Sequence, residues 1–457
     1  YLSAYLVLAI MPRLNSQLIR ALSDYGMVLM LLLLGVFFSL MTLTEQQPTG
    51  EVGGQQVANA ILAQHSPEAS IWVVTRDLPS DQAFAKTLTQ SLVAAGYDRI
   101  HPVVGLPRDA RAALVQWQDQ GAKIDAIAGT EVTSSWLVFA DLETSFPEVG
   151  RPRIYRPTPY RWPNFLKRDN LLNITNQIAV IAIIAIGMTT VIISGGIDLS
   201  VGSLIAFSAV LACLLIREVG GALDATAIGM TLACLGALWA SAAIGGITGG
   251  LITFFGVPPF IVTLGMMLMA SGAAYLLSGG ESVYQVPDRF VWLGRGTTLG
   301  GLPNAVLLMI LLYLLAHFMM GRTRWGRYLY AVGGNAEAAR LSGVPVKRIQ
   351  LSAYVLSGAL AGLGGVIMAS QLKSGAPTYG QMYELYVIAA VVVGGTSLSG
   401  GEGKILGTLI GAFIIAVIQN GMNLMNIEPY TQKVILGLVI LLAVLLDKLK
   451  QRGLGRH

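Results

Sequence analysis

Charged residues are scarce in this sequence: they make up 12% of its 457 residues, whereas a soluble domain carries about 25%. Hydrophobic residues make up 54%, and the mean hydropathy is +0.63. A soluble fold of this length cannot hide so much apolar surface, because a large part of any folded chain must face water. The scarcity of charge therefore excludes an ordinary soluble protein and indicates a protein solvated by lipid.

Cysteine and nucleotide-binding motifs are also nearly or wholly missing. The two cysteines, Cys213 and Cys234, both lie inside apolar runs, which disfavours a disulfide framework or a metal site. Nothing matches GxxxxGK[ST], the loop that cradles nucleotide phosphates. We therefore expect no cofactor, no metal and no catalytic residue, and any ATP hydrolysis must come from a partner.

Long apolar runs are what the sequence has in abundance, and a membrane-spanning helix needs about 20 apolar residues. Ten segments are candidates: 25–44, 171–194, 199–217, 225–255, 259–278, 302–320, 351–372, 386–396, 405–424 and 430–446. The run 386–396 is short, and both a crossing and a re-entrant helix remain open for it. The pattern predicts an α-helical polytopic membrane protein with about ten transmembrane segments. Its expected parts are an N-terminal segment with the first helix (1–44) and a permease core (169–447).

Basic residues fall into three short stretches beside the apolar runs, which indicates membrane topology and not a nucleic-acid surface. Arg13 and Arg20 precede the first run, a cluster at 322–348 separates the sixth from the seventh, and a basic tail occupies 448–457. Ten crossings place all three stretches on one side, which the positive-inside rule makes the cytoplasm. The apolar segment 1–10 is either the end of an upstream span or an interfacial helix.

Residues 45–168 interrupt the apolar pattern and are polar enough for a soluble domain. Strands and helices are predicted to alternate in it, with strands at 71–75, 101–104 and 124–128 and helices at 81–95 and 108–120. This βαβαβ order predicts a small α/β insertion on the extracytoplasmic side, followed by a proline-rich linker at 151–163. The sequence leaves the role of the insertion open.

Two segments read alike and indicate an internal repeat: 194–205 is SGGIDLSVGSLI and 399–410 is SGGEGKILGTLI. Each lies where one apolar run ends and the next begins. Broken helices of this kind often line a solute pathway, because their free N–H and C=O groups suit a polar solute. A count of ten crossings places both loops on the same face, whereas an inverted repeat places them on opposite faces.

Polar residues in these segments are candidates for the pathway or a gate. Asp198 stands at a helix start, where capping is the favoured interpretation, with a substrate contact or a proton relay as alternatives. Hydrogen bonding between helices explains many buried polar residues in membrane proteins, but a sugar pathway needs such groups as well. The candidates are Ser194, Gly195, Gly196, Asp198, Thr396, Ser397, Ser399, Gly400 and Asn420.

The basic stretch between the sixth and seventh runs contains a predicted short helix. It reads GRYLYAVGGNAEAARLSGVPVKRI, in which Asn335 is placed to cap a helix over 336–341, and Gly343 with Pro345 is placed to end it. The alternatives are an ordinary interfacial helix and a coupling helix, near 333–345, that fits a groove in a motor subunit.

Three segments of the chain resemble the permeases of simple-sugar, ribose-type ATP-binding-cassette importers: GRYLYAVGGNAEAARLSGVPV, IAAVVVGGTSLSGGEGKILGTLIGA and MTTVIISGGIDLSVGSLIAF. The resemblance runs over about 170–447, and 45–168 replaces what is usually a short connection. It implies a bacterial inner-membrane protein that pairs with a second permease (itself or a paralogue), two ATPase subunits and an extracytoplasmic solute-binding protein. It also implies a coupling segment, formed by Gly333, Gly334, Asn335, Ala339, Arg340, Leu341 and Gly343.

The sequence therefore predicts a non-catalytic permease subunit of an ATP-driven importer for a monosaccharide or similar polar solute. The alternative is an ion-coupled secondary transporter, which is disfavoured because Asp198 is nearly the only ionisable residue inside the apolar runs. A membrane-anchored sensor is disfavoured because ten spans exceed what an anchor needs. Which sugar is carried, and whether the partner permease is identical, stay open.

Overall fold

The computed structural model describes residues 16–454. The apolar segment 1–10, Arg13, and the side chains of Arg20 and of the basic tail 448–457 lie outside the described residues. The described chain forms two compact units. One is an inserted unit, Leu43–Pro163, and the other is a helical unit made of the residues before and after it.

Helix α1 (Ser16–Met41) precedes the inserted unit. The elements of that unit are, in chain order, β1 (Leu43–Gln46), α2 (Gly50–Leu62), β2 (Ile71–Thr75), α3 (Pro79–Ala94), β3 (Ile100–Val104), α4 (Pro107–Asp119), β4 (Ala126–Gly129), α5 (Glu131–Ser134), α6 (Leu137–Ala140), α7 (Leu142–Ser145), β5 (Arg153–Tyr155) and β6 (Tyr160–Pro163). The predicted strand at 71–75 is confirmed with the same bounds, and the other predicted strands and helices are confirmed to within two residues.

A parallel sheet in the order β3-β2-β4-β5 forms the centre of the inserted unit. Strand β2 is buried along its whole length, because helices cover both faces of the sheet. Ile71 and Val73 pack in one cluster with side chains of α2 and α3, and Trp72 and Val74 pack in a second cluster with side chains of α4. This two-sided burial explains why β2 reads as a continuous apolar run.

The prediction that 151–163 is only a linker is wrong. Arg153–Tyr155 adds to the sheet as the edge strand β5, and Tyr160–Pro163 pairs as β6 with β1 in an antiparallel ribbon. The prolines of the segment hid these strands, although proline is tolerated where an edge strand needs no N–H donor. The ribbon brings together the two ends of the inserted unit.

The helical unit continues after the insertion. Its helices are α8 (Arg168–Ile193), α9 (Val201–Glu218), α10 (Ala227–Phe255), α11 (Pro259–Ser278), α12 (Trp292–Arg295), α13 (Asn304–Arg322), α14 (Arg324–Gly334), α15 (Ala336–Leu341), α16 (Val346–Leu372), α17 (Tyr383–Val393), α18 (Ile405–Leu424) and α19 (Pro429–Leu454). Single 3₁₀ turns lie at Pro147–Val149, Asn164–Leu166, Ala222–Asp224, Asp288–Val291 and Leu299–Gly301.

Seven helices within residues 16–454 are long and apolar enough to cross a membrane: α8, α9, α10, α11, α13, α16 and α18. Shorter apolar helices lie at Gly26–Met41, Tyr383–Val393 and Pro429–Leu445. The polytopic helical architecture is therefore confirmed at the level of seven candidate spans. Helix α17 has 11 residues, which is about 16 Å at 1.5 Å per residue, so it cannot cross a hydrocarbon core as a helix alone.

Contacts with α16 locate the starts of the neighbouring helices. Ser357, which hydrogen-bonds to Asp198 just before α9, lies about 17 Å along α16. Further along α16, Ser208 Oγ donates to the Gly362 carbonyl at 2.6 Å. Helix α9 therefore runs parallel to α16 from the midpoint of α16 onwards. Because α9 begins so deep in the unit, residues 194–200 reach it as irregular backbone.

Helix α17 begins at the same depth as α9 and runs the opposite way. After α16 the chain turns back at Lys373, which has a positive φ of 54°, and returns as irregular backbone to Met382. A Cβ atom at Gly202, in the first turn of α9, would overlap the Glu384 carboxylate in the first turn of α17. Helices α9 and α17 therefore begin side by side in the interior of this unit.

Candidate functional site

The two repeated glycine loops, 194–200 and 394–404, lie against each other. The Gly401 N–H donates to the Ile193 carbonyl at 2.9 Å. A Cβ atom at Gly400 would lie 3.3 Å from Gly195 Cα, so this contact has no room for a side chain. Both loops therefore lie at one end of the helical unit, which excludes the arrangement with the loops on opposite faces.

The end of α14 packs into both loops. A Cβ atom at Gly333 would overlap the Ile193 carbonyl oxygen and stand 2.5 Å from Gly401 N. Tyr330, one turn earlier, donates its hydroxyl to the Gly403 carbonyl at 2.8 Å. We call this meeting point of Gly333, Gly334 and the two loops the glycine junction.

The predicted short helix is present as α15, directly after the junction. Asn335 caps it by accepting the Ala338 N–H at 2.9 Å, and Gly343, with a φ of +83°, follows its end. Gly333 and Gly334 belong to the preceding helix α14, and not to the short helix itself. Ala339 is the buried anchor of α15.

The outward face of α15 carries Arg340 and Leu341. Leu341 is 78% exposed. Arg340 donates from Nε at 3.1 Å and from Nη2 at 2.5 Å to Glu337, and this pairing holds the pKa of Glu337 below its usual value. Exposed pairs of this kind add little stability.

Asp198 is 1% exposed and accepts three hydrogen bonds. The Ser200 N–H (3.0 Å) and Ser200 Oγ (2.6 Å) donate to one carboxylate oxygen, and Ser357 Oγ (2.8 Å) donates to the other. The geometry is that of an Asx turn before α9, whose own N-cap residue is Ser200. Asp198 thus joins the first glycine loop to the middle of α16.

The other expected pathway residues bond locally, are packed within the loops or lie elsewhere. Ser194 Oγ donates to the Val191 carbonyl at 2.8 Å, and the Ser399 N–H donates to Ser397 Oγ at 3.2 Å. Thr396 is buried beside Gly403. A side chain at Gly196 would overlap the Tyr354 hydroxyl.

Asn420 lies far from the junction. It exchanges reciprocal amide hydrogen bonds of 2.9 and 3.0 Å with Asn170, at the opposite end of α8 from Ile193. Bonding between helices fully accounts for this residue.

A cavity of about 290 Å³ lies where helices α9 and α17 begin. Its polar lining comes from α9, α11, the chain leading into α17 and the first turn of α17, namely Ser203, Ser271, Tyr379, Gln381 and Glu384. The nine expected pathway residues are absent from this lining. The glycine junction therefore lies on one side of the α9 start and the cavity on the other.

Residues 170–444 match the family described as branched-chain amino acid transport system / permease component. The chain belongs to this permease family. The match covers most of the helical unit and leaves out the inserted unit.

Several curated permeases are similar to this chain. The ribose import permease of Escherichia coli K12 is 45% identical over 293 residues, which is 63% of this chain and 88% of the relative. The L-arabinose transporter permease of Azospirillum brasilense is 37% identical over 289 residues, 63% and 83% of the two chains. The D-allose permease of Escherichia coli K12 is 36% identical over 286 residues, 62% and 85%. The resemblance to simple-sugar importer permeases is confirmed, and no solved structure matches the chain significantly.

The permease has polar cavity residues that the sequence analysis missed. Glu384 and Gln381 lie just before the apolar run 386–396, and a segment started at 386 passes over both. The available signal was a carboxylate two residues ahead of a run too short to cross. Such a residue is a pointer to function in a membrane protein.

Proposed function

We propose that this chain is the membrane permease of an ATP-binding-cassette importer for a monosaccharide, in a bacterial inner membrane. The observation that carries the proposal is the close packing of Gly333, at the end of α14, into the glycine junction, with the exposed helix α15 directly after it. An exposed helix that directly follows α14, whose end packs into the loops between membrane helices, is suited to transmit a movement from a motor subunit to a pathway. The ribose, arabinose and allose permeases among its relatives support a sugar as the solute.

The proposed topology has ten passes. Nine are single helices, and the remaining one combines irregular backbone from Lys373 to Met382 with the half-helix α17. In this topology α15 and the basic stretches lie in the cytoplasm, and the inserted unit lies on the extracytoplasmic side. That side is where a solute-binding protein docks, and we propose that the inserted unit acts beside that dock.

The proposed assembly contains two permease subunits, identical or paralogous, two ATPase subunits and a solute-binding protein. ATP hydrolysis belongs to the ATPase subunits, and the permease contributes the path and no covalent chemistry. On each permease, α15 is proposed to enter a groove of an ATPase subunit with Arg340 and Leu341 outward. Gly333, Gly334, Asn335, Ala339 and Gly343 position it.

Coupling follows from the contacts of the junction. A displacement of α15 moves the end of α14, and with it both glycine loops, because Gly333 leaves no free space between them. The first loop is attached through Asp198 to Ser357 and to the start of α9. ATP binding and hydrolysis would thus shift the balance between inward-open and outward-open arrangements of α9 and α17.

The test is ATP-dependent uptake of D-ribose, L-arabinose and D-allose in proteoliposomes that contain the permease, its ATPase and its binding protein. We expect uptake that needs ATP, survives an ionophore and is abolished by Arg340→Glu or Gly343→Trp. Leu223→Asp, an exposed leucine between α9 and α10, is the control and should transport normally. Uptake that ignores ATP and collapses with an ionophore would instead establish an ion-coupled carrier.

A further inference from the structure

The cavity at the starts of α9 and α17 combines features of a solute site. The first N–H groups of a helix have no partner within the helix, and its N-terminus carries partial positive charge. Here the starts of α9, with 18 residues, and α17, with 11, meet beside one cavity. Irregular backbone inside a membrane protein is tolerated where it lines such a cavity.

The volume suits a single sugar ring. Small-molecule pockets begin at about 300 Å³, and this cavity of about 290 Å³ is at the lower end of that range. Ser203 and Ser271 offer hydroxyl groups, and Gln381 offers an amide. Met267 and Leu268 give one wall an apolar surface, against which the C–H face of a sugar can pack.

Glu384 is the carboxylate in this lining, and none of the ion pairs formed by the described residues involves it. It is half-buried and pressed against Gly202, where a Cβ atom would overlap its carboxylate and stand 2.6 Å from the Gly380 carbonyl. A carboxylate among apolar helices is costly without partners. As an acceptor with two oxygens, it matches a pair of neighbouring hydroxyl groups.

We infer that this cavity binds the transported sugar inside the membrane, and that Glu384 accepts hydrogen bonds from two adjacent sugar hydroxyls. The inference rests on the proposed function and adds the site at which the permease itself binds the solute. This binding site adjoins the start of α9, and Asp198 connects the start of α9 to the glycine junction. Movement of the junction therefore reshapes the site and releases the sugar.

The first test measures D-ribose, L-arabinose and D-allose uptake by the assembled transporter with Glu384→Gln, which keeps the shape and removes the charge. Loss of hydrogen bonds to a charged acceptor should lower uptake about tenfold or more, while the ATPase activity stimulated by the binding protein remains. Glu218→Gln, an exposed carboxylate at the other end of α9 paired with Arg217, should transport like wild type. Normal uptake by Glu384→Gln overturns the inference and leaves the proposed function standing.

A second measurement does not depend on the folding of the Glu384 variant. In a protein with Cys213→Ala and Cys234→Ala, Ser203→Cys is exposed to a small polar thiol reagent during ATP-driven turnover. The transported sugar should slow modification at position 203 and not at Ser278→Cys, which lies about 10 Å further along α11 than the cavity residue Ser271.

Each outcome of the protection experiment decides the inference. If Glu384→Gln raises the sugar concentration that gives half-protection about tenfold, the site and its carboxylate are supported. If wild type transports and the sugar gives no protection, or if the reagent never reaches position 203 because lipid or a second subunit fills the cavity, the inference is overturned. If wild type moves none of the three sugars with ATP, the proposed function fails first.

Discussion

Gly333 packs so closely against Ile193 that a Cβ atom at Gly333 would overlap the Ile193 carbonyl oxygen. The same carbonyl accepts the Gly401 N–H at 2.9 Å. Three segments distant in the sequence therefore meet at one backbone oxygen. This contact joins the exposed helix α15 to both glycine loops, and the proposed coupling depends on it.

Gly333→Ala should push the end of α14 away from the two glycine loops at the glycine junction. Overpacking of a close contact costs about 1–3 kcal/mol, and here the atoms that must give way are backbone. We expect a lower unfolding temperature in detergent and a loss of ATP-driven uptake with ATPase activity retained.

The neighbouring glycine offers a matched control for that change. A Cβ atom at Gly334 meets nothing within 4 Å, so Gly334→Ala should keep both stability and uptake. Equal effects of the two substitutions would contradict the argument from close packing, because helix propensity changes in the same direction at both positions.

Asp198 and Ser357 should be energetically coupled. Leaving a buried hydrogen-bonding group without its partner costs about 1–3 kcal/mol, so Asp198→Asn and Ser357→Ala should each destabilise the protein. Because the two side chains share one hydrogen bond, the double variant should lose less unfolding free energy than the sum of the two single losses. The difference should be about 0.5 kcal/mol or more in a double-mutant cycle measured by thermal unfolding. Asp198→Asn with Ser208→Ala, whose hydroxyl bonds Gly362 instead, should be additive.

The sequence predicted the elements that are determined by interactions between residues close together in the chain. Asn335, Gly343 and Pro345 define α15 through capping and helix termination, and the structure has that helix at 336–341 as predicted. Strand β2 was predicted because β-branched residues form a short apolar run. The family resemblance was readable for a similar reason, since its motifs are contiguous stretches of sequence.

The cavity was not predictable, because its walls come together only in the folded unit. Glu384 meets Gly202 across 182 positions of sequence, and no periodicity reports such a contact. Hydropathy also detects only the helical part of a pass that combines irregular backbone with a short helix. The irregular backbone before α17 was therefore not predicted. The pathway candidates chosen around the glycine motifs consequently lie at the junction or, for Asn420, near the other end of α8.

Asn335 should be needed for coupling through the stability of α15. The helix has six residues, too short to persist without its cap, and replacing an N-cap asparagine by alanine costs about 0.5–2 kcal/mol. Asn335→Ala should therefore lower the number of sugars transported per ATP hydrolysed. Asn335→Asp, which retains an acceptor for the Ala338 N–H, should restore most of that ratio, and failure of this rescue would argue against the cap.

The inserted unit should lose stability in acid through Asp81. Burial of this carboxyl opposes its ionisation, but hydrogen bonds from the Arg76 side chain (2.9 and 3.2 Å) and backbone (3.2 Å), with the charge of Arg76, outweigh burial and lower its pKa. A carboxyl whose pKa is lower in the folded state stabilises the fold above its unfolded pKa of about 3.9. That contribution is lost as pH falls through the folded pKa.

Hydrogen exchange in the full-length protein checks this expectation. Amides of β2 and α3 should keep their protection from pH 7 to about pH 4 and lose it below that value, where Asp81 takes up a proton. Asp81→Asn should lower protection at pH 7 and flatten the acid dependence, because it removes the charge that Arg76 binds. Asp77→Asn is the nearby control, since Asp77 bonds only the exposed Gln82 side chain. An acid transition that persists unchanged in Asp81→Asn would assign it to another carboxylate of the unit.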